Sequence, residues 1–419
     1  MEIFLPFSKS EINRVFVLAF QSPREFLIRN FSFCDDTRVV YDFFNDTGVY
    51  LNFINFDLQI HSKNIHFASP HIVNVHQAGT AFRFLLALCS VLPYSFQFIG
   101  HESLAKRPIF PLTNLLSKIG VTFHFHQQNL SLPLSFHGIK SFNGSELSFD
   151  DEVLSSQYIS ALLLLAPSLP LHFVFKIKNP SIASQSYIVM TTQMLEKLGI
   201  IWDYDDENLT FQLIKNTFDI FEYTISADWT NASYFIALSA ILKKPIKFPN
   251  LNIHSFQPDV NQLFNWMELG VNFSTDAHYL IVDPHNFELI PFEWDFSSTP
   301  DLFQTFAVLT AYKKGTYNFL GLETLKHKET HRLFAMSTEL AKLGISVQYD
   351  ENMGTCTISN NVDNFPSKVD FNTYNDHRMA MALSLLKPLI PDLSFDNENV
   401  VNKSFPDFWG QYKRLLDGF

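Results

Sequence analysis

The sequence predicts a repeated α/β architecture spread over more than one domain, on three observations. The chain runs to 419 residues, beyond the ~250–300 at which a single hydrophobic core stops growing. Six segments repeat one pattern, in which small polar or charged residues precede an apolar run rich in Ala and Leu. Short strand-like runs and second helices fill the intervals, so each repeat mixes both kinds of element.

In chain order the six segments are SKSEINRVFVLAF (8–20), AGTAFRFLLALCS (78–90), SSQYISALLLLAP (155–167), WTNASYFIALSAI (229–241), TPDLFQTFAVLTA (299–311) and NDHRMAMALSLL (375–386). Each carries Ser, Thr, Asn or Asp near the position of a helix N-cap and continues as a buried helix. Between them, LHFVFKI and SFQFIG read as strands, and PIFPLTNLLSKIGV and TTQMLEKLGI as second helices. Helix N-termini attract anions through free N–H groups and the helix dipole. Six of them with polar mouths can line one cleft, although Ser and Thr there also serve as ordinary caps. No Gly/Ser linker divides the chain; boundaries fall near Ser8 and Ala227, where a strand-like run meets a new helix start.

Composition narrows the function. Hydrophobic residues at 47% and charged residues at 17% describe a globular chain, not a disordered one. The 45 phenylalanines against 14 glycines read as compositional drift and carry no function. A formal charge of −12 argues against nucleic acid as a partner. Small anionic substrates remain open, provided the few cations are concentrated at a site. Cys34, Cys89 and Cys356 form no close pair, so neither a disulfide framework nor a Cys-based metal site is expected. The N-terminus MEIFLPFSKS lacks the basic and apolar regions of a signal peptide. The stretch Val153–Phe175 holds no Asp, Glu, Lys or Arg and is long enough to span a bilayer. Ser155, Ser156, Gln157, His172, Pro167 and Pro170 instead predict a helix, a proline turn and a strand. A cytoplasmic protein is expected.

Eight motifs carry candidate chemistry. In Ser8-Lys9-Ser10-Glu11-Ile12-Asn13-Arg14, two cations stand at a helix start, where a phosphate or carboxylate is favoured. Gln77-Ala78-Gly79-Thr80-Ala81-Phe82-Arg83 places one of few glycines at a helix mouth, which serves either a turn or close approach of backbone to a ligand. Arg107, held extended before Pro108, suits bidentate contact with an anion, or else forms a solvated pair. Ser155, Ser156 and Gln157, with Ser184 and Tyr187 downstream, are neutral donors. Asp301, in Thr299-Pro300-Asp301, is an acid at a helix mouth, where the carboxylate form is favoured and general-base work is possible. Lys326-His327-Lys328-Glu329-Thr330-His331-Arg332 sets one acid among cations that depress its pKa, ahead of the apolar LFAM. Arg378, in Asn375-Asp376-His377-Arg378, opens a helix, and Lys403 precedes a C-terminal aromatic segment, Phe405 to Trp409.

In this order and spacing, SKSxxNR, AGTAxR, KRPI, SSQYISALLLLAP, KETxRLFAM, YNDHRMAM and KxFPDF resemble the 5-enolpyruvylshikimate-3-phosphate synthase family, from residue 8 to residue 409. The resemblance implies a two-domain inside-out α/β barrel fold of six strand–helix units, the enolpyruvyl transferase fold. It implies domains over 9–226 and over 1–8 with 227–419, three repeats in each, with the active site in the cleft between them. It implies transfer of the carboxyvinyl group of phosphoenolpyruvate to the 5-hydroxyl of shikimate 3-phosphate, inhibition by glyphosate, no cofactor or metal, and a monomer. By the same resemblance, Lys9, Ser10, Arg14, Ser155, Ser156, Gln157, Ser184, Tyr187, Asp301, Thr324 and Lys328 hold shikimate 3-phosphate. Lys9, Gly79, Arg107, Gln157, Arg332, Arg378 and Lys403 hold phosphoenolpyruvate. Asp301 matches the family's general base, Asp301 or Lys9 assists loss of the hydroxyl proton, and Glu329 handles the methylene proton.

Six residues at five places depart from the family pattern. Phe7 replaces a glycine, His76-Gln77 a Gly-Asn pair, Phe84 a common proline, Thr324 an asparagine that touches shikimate 3-phosphate, and His331 an aspartate. Two other readings stay open. One is a sister transferase acting on a UDP-amino sugar, which usually carries a reactive cysteine near the equivalent of 105–115, where this chain has none. The other is a binding protein without catalysis, motivated by the departures.

Overall fold

The computed structural model describes residues 1–62, 65–128, 130–140, 142, 144–149, 154–178, 182–276 and 278–418. The chain forms two compact units, Phe7–Ile225 and Met1–Pro6 with Ser226–Phe419. They are called here the N-terminal and C-terminal units.

The N-terminal unit contains three four-stranded sheets of one design, a parallel pair extended by two antiparallel strands. The first orders Glu222–Thr224, Phe26–Arg29, Asp57–His61 and Tyr50–Ile54. The second orders His71–Asn74, Ser95–Ile99, Leu134–His137 and Thr122–Phe125. The third orders Glu146–Phe149, Val174–Ile177, Thr210–Lys215 and Ile201–Asp205. A parallel pair needs a crossover, and a helix supplies it. Gly79–Ser90 connects one pair and Ser156–Leu163 another.

The C-terminal unit repeats the design. Glu293–Asp295, Gly315–Leu320, Thr355–Asn360 and Ser346–Asp350 form one full sheet. Ile246–Phe248, Leu280–Asp283 and Asn272–Thr275 form another, and Glu2 bridges Lys247 in parallel at its edge. The last repeat keeps only the parallel pair Lys368–Phe371 and Asp392–Phe395. In both first repeats the parallel partner comes from far along the chain, Glu222–Thr224 in one unit and Glu2 in the other.

All six predicted segments are helices: Lys9–Phe20, Gly79–Ser90, Ser156–Leu163, Trp229–Leu242, Phe303–Leu309 and His377–Ser384. They are buried nearly all round, and every residue from Trp229 to Ala240 is buried. An all-round apolar helix of this kind belongs in a core. Second helices such as Asp35–Asp46 and Phe408–Asp417 bury one face and expose the other. Phenylalanine fills both cores. Phe44 stacks between Phe16 and Phe20 at 5.4 and 5.0 Å, and Phe292 lies against Trp294 at 3.9 Å.

The uncharged stretch near residue 160 is the helix Ser156–Leu163, a 3-10 turn at Ala166–Ser168 and the strand Val174–Ile177. Among the described residues no helix is long and apolar enough to cross a membrane.

Candidate active site

Three helix starts in the C-terminal unit gather charged side chains. Asp301 lies in the 3-10 turn Pro300–Leu302 that leads into Phe303–Leu309. Lys328 and Glu329 precede the helix Arg332–Ala341, and Asp376 caps His377–Ser384 by accepting from the Arg378 amide at 2.9 Å. Lys403 ends the 3-10 turn Glu398–Lys403.

Arg332 ties these together. Its side chain is 1% exposed. Its Nη1 donates to Asp301 Oδ1 at 2.7 Å, its Nη2 to Glu329 Oε2 at 2.8 Å and its Nε to Asp376 Oδ2 at 2.8 Å. Asp301 also pairs with Lys328 at 3.1 Å and with Arg378 Nη2 at 2.9 Å, and Lys403 stands 3.7 Å from Glu329. Arg332, Lys328, Arg378 and Lys403 thus face Asp301, Glu329 and Asp376, with the buried Asp228 also acting on Arg378.

Burial alone would raise the Asp301 pKa. Arg378, Lys328 and Arg332 outweigh it and hold the carboxyl well below the usual carboxylate range, with Glu329 opposing them. Burial likewise favours neutral Arg332 and Arg378, and the facing carboxylates reverse this and keep both firmly cationic. Such a set can hold multiply charged anions by exchanging carboxylate partners for substrate oxygens.

The N-terminal unit builds its cations differently. Lys9 pairs with Asp36 at 2.8 Å, both largely buried. Arg14, fully buried, donates to Thr191 Oγ1 (2.8 Å), the Ser10 carbonyl (2.9 Å), the Tyr187 carbonyl (3.3 Å) and Ser160 Oγ (3.4 Å). Burial lowers its pKa to about 10, so it is still charged at neutral pH. At the mouth of the Gly79 helix, Arg83 donates to the Gly79 carbonyl at 2.9 Å. A Cβ on Gly79 would lie 2.9 Å from Arg83 Nη1 and 3.0 Å from Arg107 Nη1, so the missing methyl is what admits both guanidinium groups. Gln157 reaches Thr80 at 3.4 Å, and Tyr158 lies under Arg83. Ser155 caps its helix by accepting from the Gln157 amide, and its strand residue pairs in parallel with Ala183, next to Ser184.

The residues singled out in the sequence therefore fall into groups. Asp301, Lys328, Glu329, Arg332, Arg378 and Lys403 converge. Gly79, Arg107 and Gln157 cluster, Ser10, Arg14 and Tyr187 form a second group, and Lys9 stands with Asp36. Thr324 Oγ1 is buried and has no hydrogen-bond partner among the described residues. Four further participants were given no role from sequence: Asp36, Arg83, Tyr158 and Asp376. Arg83 and Asp376 stand inside quoted motifs, where their positions at helix starts beside other charges were the available signal.

The EPSP synthase (3-phosphoshikimate 1-carboxyvinyltransferase) family model matches residues 1–412. The chain belongs to the EPSP synthase family. It is 30% identical to the 3-phosphoshikimate 1-carboxyvinyltransferase of Bacteroides fragilis over 414 residues, which is 98% of this chain and 94% of that one. It is 30% identical to the same enzyme of Methanosarcina mazei over 423 residues, 99% and 95% of the two chains. Its fold matches EPSP synthase of Acinetobacter baumannii with a TM-score of 0.79 at 18% identity, covering 99% and 95% of the two chains. It also matches the enolpyruvyl transferase NikO of Streptomyces tendae at 0.76 and 14% identity, covering 99% and 94%.

The residues noted in the sequence as departures from the family pattern have local accounts. Phe7 packs edge-on to Phe56 at 6.4 Å. His76 has φ +44°, a left-handed backbone that glycine adopts without strain, and Asn74 Oδ1 accepts from its amide at 3.0 Å. Phe84 is fully buried and covers the Arg14 guanidinium at 5.1 Å. His331 caps the Arg332 helix, its Nδ1 accepting from the Phe334 amide at 3.1 Å while Nε2 meets Glu351 at 2.7 Å. Aspartate, which the family pattern quoted above carries there, is likewise a good cap.

The depressed pKa of Asp301 gives a test with a defined sign. A carboxyl whose folded pKa lies below its unfolded value stabilises the fold above about pH 4, and this is lost as pH falls toward the folded value. Asp301→Asn is expected to cost about 3 kcal/mol at pH 7, because three cations lose a partner. In urea titrations the gap to the wild type should narrow below about pH 4; a gap independent of pH would refute the assignment.

Proposed function

We propose that this chain transfers the carboxyvinyl group of phosphoenolpyruvate to the 5-hydroxyl of shikimate 3-phosphate and releases phosphate. The observation that carries the chemistry is the Asp301–Arg332–Glu329 cluster, with its four cations, in a chain of the EPSP synthase family. Each substrate bears a carboxylate and a phosphate, and such a cluster is the kind of environment that binds them. As the family resemblance implies, the enzyme works as a cytoplasmic monomer without metal or cofactor.

The reaction needs two proton movements and two changes at carbon 2 of phosphoenolpyruvate. A proton adds to the methylene, making it a methyl, while the 5-hydroxyl oxygen bonds to carbon 2 and gives up its own proton. The resulting tetrahedral species then breaks its C–O bond to phosphate, which leaves with the bonding pair. The methyl returns a proton, and the vinyl group is restored on the new oxygen. In this reading Asp301 or Lys9 assists loss of the hydroxyl proton, and Glu329 gives and takes back the methylene proton.

Asp301 is a weak base while three cations hold it. Substrate phosphate and carboxylate oxygens compete for those cations, and each cation drawn away raises the basicity of Asp301. Lys328, Thr324, Ser10, Arg14, Ser155, Ser156, Gln157, Ser184 and Tyr187 are assigned to shikimate 3-phosphate. Gly79, Arg107, Gln157, Arg332, Arg378 and Lys403 are assigned to phosphoenolpyruvate, with Lys9 common to both. Orientation and a preset positive field then supply most of the rate enhancement.

Purified protein mixed with both substrates should release phosphate, and should not do so when UDP-N-acetylglucosamine replaces shikimate 3-phosphate. The reverse preference would move the chain to the sister activity. Glu329→Gln should slow turnover by about 10²–10⁴ with shikimate 3-phosphate binding retained; unchanged single-turnover rates would remove Glu329 from the proton transfer. Gly79→Ala should push on Arg83 and Arg107 and raise KM for phosphoenolpyruvate roughly tenfold, ~1.4 kcal/mol of binding. Inhibition by glyphosate should weaken with it. Steady-state kinetics at varied phosphoenolpyruvate checks both effects, and an unaltered KM would separate Gly79 from that substrate.

A further inference from the structure

Glu339 is fully buried, yet it lies outside every motif and outside the direct ion pairs of the cluster. It sits on the helix Arg332–Ala341, seven residues after Arg332. Seven residues are two helical turns, so the two side chains leave one face about 10 Å apart. Both grip the same segment. Arg332 holds Asp376. Glu339 Oε2 accepts from the Asn372 amide at 3.0 Å and from Lys342 Nζ at 2.6 Å, and its Oε1 accepts from the Tyr374 hydroxyl at 2.7 Å and Asn372 Nδ2 at 3.5 Å.

The gripped segment is strained. Tyr374 and Asn375 are consecutive non-glycine residues at φ +54° and +56°. L-residues avoid this left-handed region, and two in succession persist only where the surroundings over-determine them. On the other side Asp396 Oδ1 accepts from the Thr373 amide at 2.8 Å. The chain leaves the strained pair directly into Asp376, which caps the Arg378 helix and binds Arg332.

We propose that Glu339 is a positioning residue for the reaction. It clamps Asn372 and Tyr374 so that the left-handed pair delivers Asp376 to the Arg332 guanidinium and to the Arg378 amide, fixing Arg332 directly and Arg378 through the start of its helix. This rests on the reading of Arg332 and Arg378 as phosphoenolpyruvate ligands. Glu339 touches no substrate in this account; it acts through the loop.

The experiment compares Glu339→Gln and Tyr374→Phe with the wild type. Tyr374→Phe removes one clamp bond and leaves no buried charge unmatched, so it tests the idea even if Glu339→Gln fails to fold. Both variants should raise KM for phosphoenolpyruvate, by about tenfold in Glu339→Gln and a few-fold in Tyr374→Phe, since small displacements of binding groups carry effects of this size or larger. KM for shikimate 3-phosphate should stay within about twofold of the wild type. Equal KM values, with activity lost only in proportion to folded protein, would overturn the proposal. Each protein is also heated with and without inorganic phosphate. A thermal upshift in the wild type that shrinks in both variants supports the clamp, and an equal upshift in all three contradicts it. This second readout needs no turnover. A wild type that releases no phosphate from the substrates therefore sinks the functional reading, while the clamp is still decided.

Discussion

The burial of Arg332 is the constraint on which the charged cluster of the C-terminal unit depends. Removing a guanidinium from water costs several kcal/mol unless carboxylates replace the lost hydration. Three do so, each from a different place in the sequence: Asp301 before one helix, Glu329 before the Arg332 helix itself, and Asp376 at the cap of a third. Holding the arginine therefore fixes three helix starts relative to one another. The acids that make its burial tolerable include the two assigned to proton transfer, so fold and chemistry draw on the same atoms.

The N-terminal unit treats its arginines by another route. Arg14 and Arg83 are held in large part by carbonyls and hydroxyls. Neutral acceptors satisfy the N–H groups while cancelling little of the charge, so the positive potential is kept for an anion. Gly79 belongs to the same design, since its bare Cα is what lets Arg83 and Arg107 approach the helix mouth. A chain with net charge −12 can in this way still gather its few cations where small anions would be held.

Much of this was legible in the sequence because it is local. The six buried helices announce themselves by an apolar run behind a polar mouth, and the caps at Ser8, Ser155 and Asp376 are where such residues belong. Strand pairing was not legible, because it is decided across long stretches of chain; nothing near Phe26–Arg29 points to Glu222–Thr224 as its parallel partner. Asp36 was missed because its tie to Lys9 spans 27 residues and no motif contains it. Glu339 was missed for a different reason. In a helix ending TELAKLG, a glutamate three residues before a lysine reads as a solvated ion pair, and only the fold shows it buried against Asn372 and Tyr374. His331, an apparent loss from the family pattern, keeps the capping function through its ring nitrogen.

The central claim is that the carboxyvinyl group is transferred by adding a proton to the methylene of phosphoenolpyruvate and then removing one. Running the reaction in D₂O and weighing the product by mass spectrometry tests this most directly. The account predicts deuterium in the vinyl methylene of the product, because the transient methyl group mixes a solvent-derived deuteron with the two original protons before one is lost. A product formed at a normal rate with no deuterium at that carbon would contradict it.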